Sequence, residues 1–284
     1  MQSPYLHRMK GLIFLLLFFT FYSLHSQDSL SLPLLGRPVT VYFSGLPQSP
    51  VMLYNMHDNE NTAATAGRIV SKKYGGEYFE LIHDGKRLIS FAFGGDSVLI
   101  DDSMHIDRSM HKGDSFFVDD SVHIDPNRIY TDAGIWAQLK KNNLMDTTLF
   151  LNIQSWRNSL LTILDVEHRE LVIALHNNTN KNYGYKSYMP GEEFEKEADV
   201  LHRGSLGDKD DFYFVTDPDI LYQLESGRYN IVLQANSSMT DDGSLSVYCA
   251  QRGIPYVNVE TQHNRLLRQM KMLIFVFQRL MTKE

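Results

Sequence analysis

Two short apolar runs end abruptly in polar residues that can ligate metals, and the other elements of the chain alternate around them. VMLYNM, residues 51–56, gives way to His57, Asp58, Asn59 and Glu60, and ELVIAL, residues 170–175, gives way to His176, Asn177 and Asn178. Continuous apolar runs of this length suit strands buried on both faces of a sheet, and chemistry collects where such strands open into loops. VTVYFS, residues 39–44, predicts a strand joined through the turn GLPQSP to the first run. After Glu60, residues 61–74 are helical in composition, with Asn61 or Thr62 as the cap and Gly75 and Gly76 as the stop. Strands are predicted at 77–83 and 87–93, with His83-Asp84-Gly85-Lys86 as their hairpin turn. Leu149, Leu151, Ile153, Trp156, Leu160, Leu161 and Leu164 recur at helical spacing and predict a helix over 147–164. The polar segment 180–207, rich in Tyr, Lys and Glu, reads as a long excursion over the site. FYFVT, a helix after Asp217-Pro218, and NIVLQ then restore the rhythm. A helix over 244–253 stopped by Gly253, a strand over 254–260 ending in Glu260, and a packing helix over 265–280 complete it. The pattern predicts a single α/β domain: a mixed, largely parallel sheet with helices on both faces and a site at the strand ends.

An internal repeat interrupts this order. GDSVLIDDSMHID, residues 95–107, recurs as GDSFFVDDSVHID, residues 113–125, with nine of thirteen positions identical. Two copies are too few for a solenoid, which needs at least three units to bury a core. The expectation is therefore a tandem duplication that lengthens a surface hairpin over 95–125, outside the site.

Composition narrows the class without changing the fold. At 284 residues, 43% hydrophobic and 21% charged, the chain can bury one sizeable core. A net charge of −7 and a pI near 5.9 argue against a nucleic-acid partner, which would require a basic face. The single cysteine, Cys249, excludes an internal disulfide. Residues 1–26 have the form of an export signal: Arg8 and Lys10 precede a nearly all-apolar core at 11–22, followed by polar LHSQDS. The core is short for a membrane span, so the signal is the only expected membrane contact. Cleavage near residue 26, a linker at 27–37 and a single domain at 38–284 follow, placing the mature protein in the periplasm or outside the cell.

The candidate chemistry lies at the strand ends. Of eleven histidines, only His57 has Glu three residues on. Imidazole nitrogen and carboxylate oxygen at that spacing can share one Zn²⁺ while leaving room for a third ligand and a water. Asp125-Pro126 fixes an extended turn that delivers Asn127 and Arg128 side by side, and the planar fork of Arg matches a carboxylate. The order His57-x-x-Glu60, Asn127-Arg128, strand-end His176 and strand-end Glu260 resembles the zinc carboxypeptidase family (carboxypeptidase A type), together with its succinylglutamate desuccinylase and aspartoacylase relatives. YCAQRGIPYVNVE, residues 248–260, is similar to that family's approach to its catalytic Glu.

The resemblance implies His57, Glu60 and His176 as zinc ligands, Asn127 and Arg128 as the clamp for a substrate carboxylate, and Glu260 as the base. It also implies an Arg that polarises the scissile carbonyl; Arg87 and Arg108 are candidates, with Arg87 preferred because Arg108 lies between the repeat copies. Three departures stand out: Asn177 replaces the family's Ser after the third ligand, the Arg soon after the Glu is missing, and no residue matches its mobile Tyr. The implied function is an exported zinc-dependent hydrolase that cleaves an amide bond beside a free carboxylate in a small peptide or acylated amino acid. An N-acyl amino acid deacylase on the same core and a non-catalytic exported binding module are the alternatives.

Overall fold

The computed structural model describes residues 26–92, 121–179, 182–206 and 208–281. The leader core, Arg108 and all of the duplication before residue 121 lie outside the described residues.

The strands are β1 (Ser26–Ser31), β2 (Thr40–Gly45), β3 (Val51–Asn55), β4 (Glu77–Ile82), β5 (Ile89–Ala92), β6 (Ser121–Ile124), β7 (Leu171–Asn178), β8 (Ala198–His202), β9 (Phe212–Val215), β10 (Asn230–Gln234) and β11 (Tyr256–Gln262). Among the described residues six α-helices connect them: α1 (Asn61–Tyr74), α2 (Asp132–Lys141), α3 (Thr147–Leu164), α4 (Pro218–Leu224), α5 (Leu245–Arg252) and α6 (Leu266–Leu280). Among the described residues, nine strands form one sheet in the order β1-β2-β4-β3-β7-β11-β9-β10-β8; the sheet is mixed, as the hydrophobic pattern predicts. Its centre is parallel: β4 pairs β3, β3 pairs β7 and β7 pairs β11, all in parallel. Antiparallel pairings flank this centre, with β1–β2 and β2–β4 on one side and β11–β9 and β10–β8 on the other.

Period-two alternation sends successive side chains of each strand to opposite faces. On β7, Leu171, Ile173 and Leu175 pack with Ala63 and Val70 of α1, Leu224 of α4 and Leu273 of α6. Val172 and Ala174 belong to the other face, with Leu139 of α2, Ile153 and Leu160 of α3, and Tyr248 of α5. Local signals set the helix ends. Asp146 and Ser244 accept N-terminal amides of α3 and α5, while Gly75 and Gly253, at φ 93° and 65°, close α1 and α5 in the left-handed conformation.

Three sequence expectations change. The linker predicted at 27–37 begins with edge strand β1, paired antiparallel to β2 from Ser26 to Ser31. The 83–86 turn does not close a hairpin of paired strands. β4 already has β2 and β3 on its two edges, and both the His83 and Gly85 amides donate to Asp58 Oδ2 at 2.7 Å. The chain therefore leaves the main sheet, and β5 pairs antiparallel with β6 in a separate two-stranded sheet. Helix α2 was not anticipated, although Thr131 caps it and Ile135 and Leu139 recur at i and i+4.

Candidate active site

Parallel strands present their carboxyl ends on one edge, which is where crevices form in open α/β sheets. His57 lies two residues beyond β3, His176 is on β7, and Glu260 is on β11 directly beside His176 in the parallel register. Glu60 follows on the turn into α1. All four are buried.

His57 Nδ1 lies 2.9 Å from Glu60 Oε1, His176 Nδ1 lies 3.0 Å from Glu60 Oε2, and the two Nδ1 atoms are 3.1 Å apart. One proton between the two nitrogens could explain a single hydrogen bond, but it leaves both nitrogens and both carboxylate oxygens facing one point. Two imidazole nitrogens on a single tetrahedral zinc, each at about 2.0–2.1 Å, stand about 3.3 Å apart, so the donor set and its spacing fit such an ion. The other nitrogen of His57, Nε2, lies 2.9 Å from Asp125 Oδ1. A carboxylate behind a ligating imidazole is the usual means of fixing its tautomer and orientation. These residues can hold a metal ion.

The electrostatics agree with this grouping. Burial opposes a charged His57, but the Glu60 and Asp125 carboxylates outweigh it and raise the imidazole's pKa. Burial would raise Glu60, yet the His57 and His176 imidazoles hold it well below the ordinary carboxylate range. Burial lowers His176, against the pull of Glu60. Glu260 behaves oppositely: burial, reinforced by the Glu60 charge, pushes it up to about 8. Asn258 Nδ2 donates to Glu260 Oε1 at 3.2 Å, while Oε2 is buried with no partner.

Arg87 reaches in from the segment after the 83–86 turn. Its Nη1 donates to Glu60 Oε1 at 3.0 Å, and its Nε lies 3.4 Å from Asp125 Oδ2. Asn127 and Arg128 occupy a 3₁₀ turn, Pro126–Arg128, capped by the Asp125 carboxylate. Asn127 Oδ1 accepts the Leu245 amide at 3.1 Å, so its Nδ2 is left to donate to a ligand. Arg128 donates from Nη1 to the Asn127 carbonyl and pairs through Nε with Asp242 Oδ2 at 3.3 Å. Arg87, Asn127, Arg128, His176 and Glu260 all line one cleft of about 790 Å³ over the strand ends. His57 is completely buried behind it.

The fold brings His57, Glu60, Arg87, Asn127, Arg128, His176 and Glu260 to one region, while Arg108, the other candidate Arg, lies outside the described residues. One expectation needs correction: the duplicated segment 95–125 does not lie wholly outside the site, because Asp125, the last residue of its second copy, bonds His57, while residues 95–120 lie outside the described residues. The signal was available in Asp125-Pro126-Asn127-Arg128, where the acid precedes the clamp by two residues. Tyr183 and Tyr188 were also missed. Their hydroxyls lie 2.5 Å apart in the cleft wall, on the polar excursion that covers the site.

No family model and no curated protein matches the chain. Among solved structures, it is similar to an aspartoacylase family protein from Mesorhizobium loti, at 10% identity and a TM-score of 0.38 over 91% of this chain and 68% of that one. It is also similar to two proteins named as metallopeptidases. The one from Shewanella baltica has 11% identity and a TM-score of 0.39 over 89% of this chain and 86% of that one. The one from Shewanella amazonensis has 10% identity and a TM-score of 0.37 over 89% and 87%.

Proposed function

We propose that this protein is an exported zinc-dependent hydrolase that cleaves an amide bond next to a free carboxylate, in a small peptide or an N-acyl amino acid. The observation that carries the reading is the convergence of His57 Nδ1, His176 Nδ1 and both Glu60 oxygens, with Asp125 behind one ligand and Glu260 beside the other. Zinc held there would act as a Lewis acid and bring the pKa of a bound water towards about 7.

The chain's own residues do the rest. Asp125 keeps His57 in the tautomer with Nδ1 free to ligate. Glu260 would take a proton from the attacking water on its unpartnered oxygen and give it to the departing amine. Arg87 sets a guanidinium beside the ligand carboxylate, where it can meet a developing oxyanion. Arg128 and the Asn127 amide fix the substrate's carboxylate, so the scissile bond is presented in one orientation. A binding module would have no use for an unpartnered acid beside His176, which favours turnover.

Assay of the metal-loaded protein on N-acyl amino acids and short peptides tests this reading. Hydrolysis that is abolished by Glu260→Gln with metal retained is the expected result; hydrolysis unaffected by that change contradicts it. Export is supported by the leader at residues 1–26 alone. N-terminal sequencing should find a start near residue 27 outside the cytoplasm, and an intact leader on cytoplasmic protein would refute export.

A further inference from the structure

Buried hydrogen-bond acceptors line the cleft: Asn178 Oδ1 and Asn258 Oδ1 have no partner among the described residues. Their amide orientations are fixed from the other side: Asn178 Nδ2 donates to the Asp210 carbonyl at 2.7 Å, and Asn258 Nδ2 donates to Glu260. Flipping either amide would set oxygen against oxygen, so the free atoms are the acceptors. Unmet buried acceptors cost free energy, which a donor-bearing ligand recovers.

The charge of the outer wall points the same way. Asp242 is matched by Arg128, but Glu193 and Glu197, also lining the cleft, form no ion pair among the described residues. Glu197 Oε2 accepts only the Thr240 amide, at 3.0 Å. Tyr183, Tyr188 and Phe194 line the same cleft, with ring centroids 5.7 to 6.0 Å apart. Aromatic faces beside unpaired carboxylates form a favourable surface for a cation.

We infer that the substrate residue bearing the free carboxylate also carries a cationic, donor-rich side chain, an ammonium or guanidinium group. Arg128 and Asn127 take its carboxylate, while Glu193, Glu197 and the two free asparagine oxygens receive its positive end. This specificity rests on the hydrolase reading, but it can be tested without turnover.

Calorimetry on the purified metal-loaded protein would compare four free amino acids as product mimics: L-lysine, L-arginine, L-glutamate and L-phenylalanine. Lysine or arginine should bind at least about tenfold more tightly than the other two, a margin that corresponds to one favourable ion pair in a sheltered site. The double change Glu193→Gln and Glu197→Gln should reduce that preference to about threefold or less while leaving metal content unchanged. Glutamate or phenylalanine binding as tightly as lysine, or no binding by any of the four, would overturn the inference. The hydrolase reading would still be judged separately, by metal content and by the Glu260→Gln assay.

Discussion

His57 shows most clearly what a single residue contributes: one nitrogen meets Glu60 and His176, and the other meets Asp125. If Asp125 orients a metal ligand, Asp125→Ala should leave the fold intact and weaken zinc affinity by about 10- to 100-fold, measured by chelator competition. An unchanged affinity would reduce Asp125 to a cap for the Pro126–Arg128 turn. Arg128→Ala should raise KM and erase the preference for a free carboxylate over its amide, with kcat much less affected. The candidate ligands were legible in the sequence because apolar runs ending in His57 and His176 mark buried strand ends. Asp125 was obscured because its acidic repeat made it look like part of a solvated hairpin. Asn258 was hidden because nothing in a strand sequence shows which side-chain atoms remain unpartnered.

At the scale of elements, the parallel trio β3, β7 and β11 aligns the site, and the link from β6 into α2 carries Asn127 and Arg128. Gly134, near the start of α2, packs against the backbone of Gly243 and Arg128: a Cβ there would lie 2.3 Å from Gly243 Cα and 2.6 Å from the Arg128 carbonyl oxygen. Gly134→Ala should therefore cost about 1–3 kcal/mol of stability and raise KM, read by thermal denaturation and kinetics. A variant with wild-type stability and KM would mean that the loop carrying Gly243 yields freely. The duplication makes a further prediction. Removing 108–125 leaves Asp107 joined to Pro126, and removing 95–112 keeps Asp125 in place, so either deletion preserves the sequence His-Ile-Asp-Pro-Asn-Arg. Zinc content should be unchanged in both; loss of metal would assign the repeat a direct role. Helices α1 and α3 could be read from periodicity, composition and caps, whereas the partner of β5 could not. Strand pairing depends on which edges are already occupied, and the hydrophobic pattern of one strand does not record that.

For the whole molecule, the buried charges set how stability depends on pH. Asp211, under the loop before β9, is pushed up to about 6 by burial and by Asp208, with Arg268 and Arg265 opposing. Because its folded pKa exceeds the ordinary value of 3.8, its favourable contribution is complete below about pH 4 and is lost as the pH rises through about 6. Asp211→Asn should therefore raise the melting temperature at pH 8 relative to wild type, by the equivalent of roughly 1 kcal/mol, with little difference at pH 4. An equal shift at both values would contradict the assignment. The mixed sheet covered by helices on both faces followed from the alternation of apolar strands and amphipathic helices, but the cleft above it depends on an excursion whose sequence alone gives no path. If His57, Glu60 and His176 hold one zinc ion, the purified full-length protein should contain one zinc per chain after chelation, zinc restoration and gel filtration, and the His57→Ala, His176→Ala double variant should contain none. A wild-type chain without zinc, or a double variant that retains it, would contradict this assignment.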